Sequence, residues 1–114
     1  MLSSEKRLRR EKDITMVYRK GHYGGAHSLQ VKALATKLPT SRVAIVVSKK
    51  ISKKAVVRNR IKRRLSAALR DSWQTVRPGY DIVVTVREDL SKSPSAALTQ
   101  DLVFALRKSG VLIQ

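Results

Sequence analysis

The 114-residue sequence predicts an α+β domain, one sheet with helices packed on it, and three observations carry that expectation. Runs rich in β-branched residues at 42–48 and 80–86, together with an alternating run at 28–35, read as strands. Apolar residues spaced three and four apart within 14–18, 57–69 and 98–106 read as amphipathic helices. The order strand, long basic helix, strand is a crossover, which makes the two flanking strands parallel. A chain of this length buries about two thirds of the surface it exposes when unfolded, enough for one modest core.

In chain order, residues 1–12 carry Lys6, Arg7, Arg9, Arg10 and Lys12 among few apolar side chains. They read as a flexible basic arm that orders on binding, ahead of a single domain over 13–114. Ile14, Val17 and Tyr18 stand at i, i+3 and i+4, and Gly21 after Arg19 and Lys20 ends the first helix. HYGGAH (22–27) is expected as the turn that follows. SLQVKALA (28–35) alternates Leu29, Val31 and Ala33 with Gln30 and Lys32, a strand with one wet face. KLPTS (37–41) turns the chain into RVAIVVS (42–48), read as a central strand in a hairpin with the preceding one. Val57, Ile61, Leu65, Ala68 and Leu69 then give the next helix an apolar stripe. RPG (77–79) breaks the chain before YDIVVTV (80–86), a further buried strand. Ser93 and Pro94 mark the N-cap and first residue of the last helix, whose stripe is Leu98, Leu102, Ala105 and Leu106 and whose stop is Gly110.

Charge bounds the function. Against 25 Lys and Arg stand 8 Asp and Glu, a net +17 with a pI near 11.2. Self-repulsion of that size works against a compact domain unless a polyanion neutralises it, and nucleic acid leads the candidates. The stretch Lys49 to Arg70 holds ten of those bases and no acid. Like charges four apart on a helix each cost a few tenths of a kcal/mol, so a partner is expected to compensate them. There is no cysteine, which excludes disulfides and thiolate metal sites and suits a reducing, cytoplasmic setting. The start MLSSEKRLRREKD has no apolar run of the kind a signal peptide needs, and nowhere do eighteen apolar residues follow one another, so a soluble protein with no membrane partner is expected.

Protein catalysis finds little support. His22 and His27 lie in the Gly-rich turn with no neighbour to orient either ring. Asp81 opens a strand while Glu88 and Asp89 lie past its far end, about 23 Å away at strand rise, too far for a two-metal site. Asp13 and Asp101 suit helix ends or solvated faces, and the glycines of GHYGG lack the Lys-Ser or Lys-Thr of a phosphate loop. No catalytic residue and no protein-bound metal or cofactor is expected.

VSKKISKKAVVRNRIKRRL (47–65) closely resembles the signature of the bacterial ribonuclease P protein component, an Arg-Asn-Arg run preceded by Ser-Lys-Lys and followed by Ile-Lys-Arg. Leu8, Arg9, Arg10, Asp13, Val17 and Gly21 fall at that family's N-terminal spacing, Arg42 and Val43 open the matching strand, and YDIVVTVR resembles the strand ending at Arg87. The resemblance extends from about residue 7 to about residue 108. It implies a two-layer α/β sandwich: a central mixed sheet of about four strands, three helices, and a left-handed crossover at the basic helix, against the right-handed default. It also implies a small subunit that joins a large catalytic RNA to remove the 5′ leader from precursor tRNA. The RNA would carry the magnesium and the chemistry, and no protein partner would be required.

Carried over by position, the resemblance assigns Arg58, Asn59, Arg60, Lys62 and Arg63 to the catalytic RNA. Arg64 beside them, and Lys49, Lys50, Lys53 and Lys54 at the helix start, are expected to join in phosphate contacts. The leader would lie in a cleft between the first helix and the sheet, against Ile14, Tyr18, Lys32 and Arg87, with Arg7, Arg9 and Arg10 on phosphates. Ile14 and Lys32 stand where the family has aromatic residues. Stacking is worth about 1–3 kcal/mol per base, so weaker stacking is expected here, with Lys32 supplying a phosphate contact instead. Ala44 for glycine and Ser66 for a basic residue are milder departures. Two other classes share the charge: a general or ribosomal-type RNA-binding protein, and a DNA-binding module that lays the basic helix in a major groove.

Overall fold

The computed structural model describes residues 4–113. Its elements are α1 (Glu11–Lys20), β1 (His22–Gly25), β2 (Leu29–Ala35), β3 (Arg42–Val46), α2 (Ala55–Ser72), β4 (Tyr80–Val86) and α3 (Ser95–Lys108). The four strands form one mixed sheet in the order β1-β2-β4-β3. β2 runs antiparallel to β1 and to β4, and β3 runs parallel to β4, as a crossover through α2 requires.

Strand alternation sorts the side chains onto two faces. Leu29, Val31, Ala33, Val43, Ile82, Val84 and Val86 point into the main core, where Ile61, Leu65 and Leu69 of α2 meet Leu98, Leu102, Ala105 and Leu106 of α3. On the other face Ala44 and Val83 pack with Val17 of α1 and with Leu8, flanked by Ile14, Tyr18, Leu34 and Val46. Among the described residues β4 is the only strand buried on both faces for most of its length, as suits its central place.

The topology corrects three readings. β2 and β3 do not form a hairpin, because β4 is inserted between them. Their connection straps over the start of β4: Thr36 donates its amide and hydroxyl to the Gly79 carbonyl, and Ser41 links the Arg77 carbonyl to the Tyr80 amide. Gly79 takes a positive φ of 83° beneath this strap. β3 is accordingly an edge strand, its outer side met by Arg7, which bridges Val43, and by the Leu8 amide, which donates to the Val43 carbonyl. HYGG is a strand and not a turn. Its glycines permit close packing, since a Cβ on Gly24 would stand 2.3 Å from the Ala105 carbonyl oxygen of α3.

Boundaries shift slightly. α1 starts at Glu11, and the residues before it lie on the domain: a 3-10 turn over Ser4–Lys6, Lys6 Nζ 5.7 Å from the Trp73 ring centre, and Leu8 only 4% exposed. An apolar side chain inside a basic segment has a reason to bury, and Leu8 does. Residues 1–3 of the segment read as an arm lie outside the described residues. α3 begins at Ser95 with Pro94 as its cap, one position later than read from sequence, and Gly110 ends it at φ 85°.

Candidate nucleic-acid interface

α2 is amphipathic in a demanding way. Ile61, Leu65 and Leu69 are fully buried, so the helix is clamped to the sheet along one stripe and its remaining faces have fixed directions. Asn59, Arg60, Arg63 and Arg70 are exposed; Arg58, Lys62 and Arg64 flank the buried stripe and are half-covered. The first turn contains no acid and Lys54 caps it without a side-chain bond, so the helix dipole and the lysines reinforce one another at this end. Lys49, Lys50, Lys53 and Lys54 lie exposed in the turns leading into the helix.

The charges of the motif do not all face solvent in the same way. Arg58 donates to the Ser52 carbonyl at 2.9 Å, bracing the lysine-bearing turn. Arg64 donates to the Leu90 carbonyl at 2.5 Å, to the Ser93 carbonyl, and to Ser95 Oγ at 3.4 Å, tying α2 to the segment that enters α3. Asp89, near enough to Arg60 to attract it, has its carboxyl held below its usual range by hydrogen bonds from Ser91, with Lys92 and Arg60 adding smaller attractions.

Beside α2 lies a cavity of about 460 Å³, floored by Ala44 and Val46 of β3 and walled by Ile14 of α1, Leu8, Arg7 and Arg9, with Lys62 and Ser66 of α2 opposite. It brings Arg7, Arg9 and Ile14 together with Lys62, joining residues expected in two separate contact sets. An apolar floor under a cationic rim suits a nucleotide, whose base is flat and apolar and whose phosphate is charged. Tyr18 is close by on the same sheet face, its hydroxyl 2.9 Å from Thr85 Oγ1. Lys32 is engaged within the protein: its Nζ donates to the Tyr18 carbonyl at 2.7 Å and satisfies the C-terminal end of α1. Arg10 caps α1 and Arg87 follows β4, both exposed.

Sequence reading missed what holds the cleft in shape. Arg42 grips Asp81 through two hydrogen bonds, 2.9 and 2.7 Å, and reaches Asp13 of α1 at 3.5 Å. Asp81 is 5% exposed, and its hydrogen bond to Arg42 raises the Arg42 pKa further above its ordinary value. One guanidinium thus ties the start of α1 to β3 and β4. The signal available in the sequence was a lone acid at the start of an otherwise apolar strand. His27 stands 3.4 Å from Glu88 at the surface, and Asp101 accepts from Ser28 at 2.5 Å, so neither acid is grouped for catalysis.

Comparison with known proteins agrees with this fold. The family described as Ribonuclease P matches residues 2–110. The chain belongs to the ribonuclease P protein family. A ribonuclease P protein component of a Pseudanabaena species is 45% identical over 114 residues, covering 98% of this chain and 97% of that protein. Among solved structures, a Staphylococcus aureus RNase P protein mutant superposes with a TM-score of 0.85 at 26% identity, over 95% of this chain and 91% of its own. The Thermotoga maritima RNase P protein does so with 0.77 at 27% identity, over 87% and 94%. The α+β architecture of three helices on a four-stranded mixed sheet is therefore that of the ribonuclease P proteins. No helix among the described residues is long and apolar enough to cross a membrane.

Proposed function

We propose that this chain is the protein subunit of a ribonuclease P holoenzyme, binding the catalytic RNA through α2 and holding the 5′ leader of precursor tRNA in the adjoining cleft. The observation that carries this reading is that a cationic helix with no acid before Asp71 and an apolar-floored, cation-rimmed cavity adjoin along β3. Asn59, Arg60 and Arg63 supply charge and hydrogen-bond donors to folded RNA. Lys62, half-covered at the cavity mouth, serves both partners. Lys49, Lys50, Lys53 and Lys54 add phosphate contacts where α2 begins.

In the cleft, Ile14 and the Tyr18 ring give bases an apolar wall, and Arg7, Arg9 and Arg10 take phosphates, with Arg87 beyond the end of β4. Lys32 contributes by fixing the end of α1, with its charge still near the leader path. Among the described residues no group of three His, Cys, Asp or Glu side chains is arranged to hold a metal, and in this proposal magnesium belongs to the RNA. The protein's share of cleavage is then to bind, to orient the substrate, and to lower the repulsion between two polyanions.

Mixing the protein with catalytic RNA and a precursor tRNA at low magnesium tests the reading. Accumulation of mature 5′ ends beyond that given by the RNA alone is expected. Lack of stimulation would contradict the proposal, and equal affinity for arbitrary duplex DNA would favour the major-groove reading instead.

A further inference from the structure

We infer that the RNA-contacting surface of α2 runs to its C-terminal end and includes Arg70, while Arg64, inside the motif, is a positioning residue that touches no RNA; this rests on the function proposed above. Burial divides the helix. Val56, Asn59, Arg63 and Arg70 are spaced three, four and seven apart, all are exposed, and so they form one outward stripe opposite Ile61, Leu65 and Leu69. Over 14 residues this stripe is about 21 Å long at helical rise, enough to follow several successive phosphates.

Chemistry along the stripe is consistent with that use. Among the described residues the side chains of Asn59, Arg63 and Arg70 make no hydrogen bond or ion pair with their own chain, so their donors are available. Val56 is 65% exposed, an apolar residue left uncovered on a cationic face, beside a depression of about 300 Å³ shared with Asn59, Lys62 and Arg63. Asp71 forms no ion pair with Arg70 among the described residues; it lies round the helix in the groove that contains Arg64 and Ser95.

Arg64 faces away from the stripe, and its guanidinium is occupied by the Leu90 and Ser93 carbonyls and by Ser95 Oγ. A planar fork whose two terminal nitrogens are both turned to carbonyls cannot also present them as a bidentate pair to phosphate. Its task is to pin the segment between β4 and α3, including buried Leu90, to the middle of α2.

Counterion release separates the two roles. The logarithm of affinity for catalytic RNA falls with the logarithm of salt concentration, and each phosphate contact contributes about 0.7–0.9 to the slope. Arg63→Gln is the benchmark for the proposed function: a wild-type slope in that variant, or no binding by the wild type, would overturn that reading and not this one alone. Given a working benchmark, Arg70→Gln is expected to lower the slope by about the same 0.7–0.9, with the melting temperature within a few degrees of wild type. An unchanged slope together with a lower melting temperature would make Arg70 a helix-end charge only, and overturn its place in the interface. Arg64→Gln is expected to keep the wild-type slope and to lose amide-exchange protection at residues 90–95. A slope reduced as in Arg63→Gln would overturn the positioning role. Should Arg64→Gln fail to fold, Arg64→Lys keeps the charge without the fork: a melting temperature several degrees lower at full slope supports the positioning role, and unchanged melting overturns it.

Discussion

Arg42 shows how much one side chain can hold. It neutralises a buried carboxylate on β4 and draws in Asp13 from α1, so three elements meet on one guanidinium. Removing it leaves Asp81 buried with its charge unmatched, and breaking a buried pair from one side is far costlier than the pair's net worth. Arg42→Ala is expected to destabilise the domain by about 3 kcal/mol in urea denaturation. Asp13→Asn, which spares the Arg42–Asp81 pair, is expected to cost less than about 1 kcal/mol. Its larger effect should be on binding of leader-bearing substrate by the holoenzyme, because Asp13 anchors the helix that carries Ile14. A titration with precursor tRNA against mature tRNA reads that difference: the former weakens and the latter does not.

Helix α2 packs the core with one stripe and, in the proposed function, meets RNA with another. Leu65 lies wholly within the core beneath the basic face, so Leu65→Ala is expected to cost about 2–5 kcal/mol, measured by chemical denaturation, although it touches no RNA. β1 shows the converse, an element defined by what it lacks. Gly24→Ala would place a Cβ against the backbone of α3, and prying α3 from β1 is expected to cost about 1–3 kcal/mol in the same assay. These two elements also show what can be read from a sequence. The α2 stripe and its cations recur at helical spacing within 18 residues, so both the helix and its cationic face are legible. Gly24 and its neighbours read as a turn because the reason for a glycine there, the α3 backbone at Ala105, is 81 residues away in the chain.

At the scale of the whole molecule, the same distinction between local and distant causes decides what was legible. The three helices and three of the four strands follow from periodicity. Strand order does not, because insertion of β4 between β2 and β3 depends on which strand is buried on both faces. The cationic surface was visible as composition, but its internal division was not: Arg64 is paired with carbonyls 26 and 29 residues away, and Arg42 with an acid 39 away. Charge itself is a global property. With +17 to neutralise, binding that covers about six phosphates should weaken roughly a thousandfold between 50 and 200 mM salt on the duplex scale, and a salt titration of affinity for catalytic RNA reads this directly.

The most direct test is the affinity for catalytic RNA of the double variant Arg60→Ala/Arg63→Ala, measured beside its melting temperature. Both side chains are exposed and make no hydrogen bond within the described protein, so folding should be unchanged within a few degrees. Charge-assisted hydrogen bonds are worth about 1.5–3 kcal/mol each, so binding should fall by about a hundredfold or more. Wild-type affinity in a folded double variant would contradict the central claim that the outward face of α2 grips RNA, and early melting with intact binding would show these arginines to be structural.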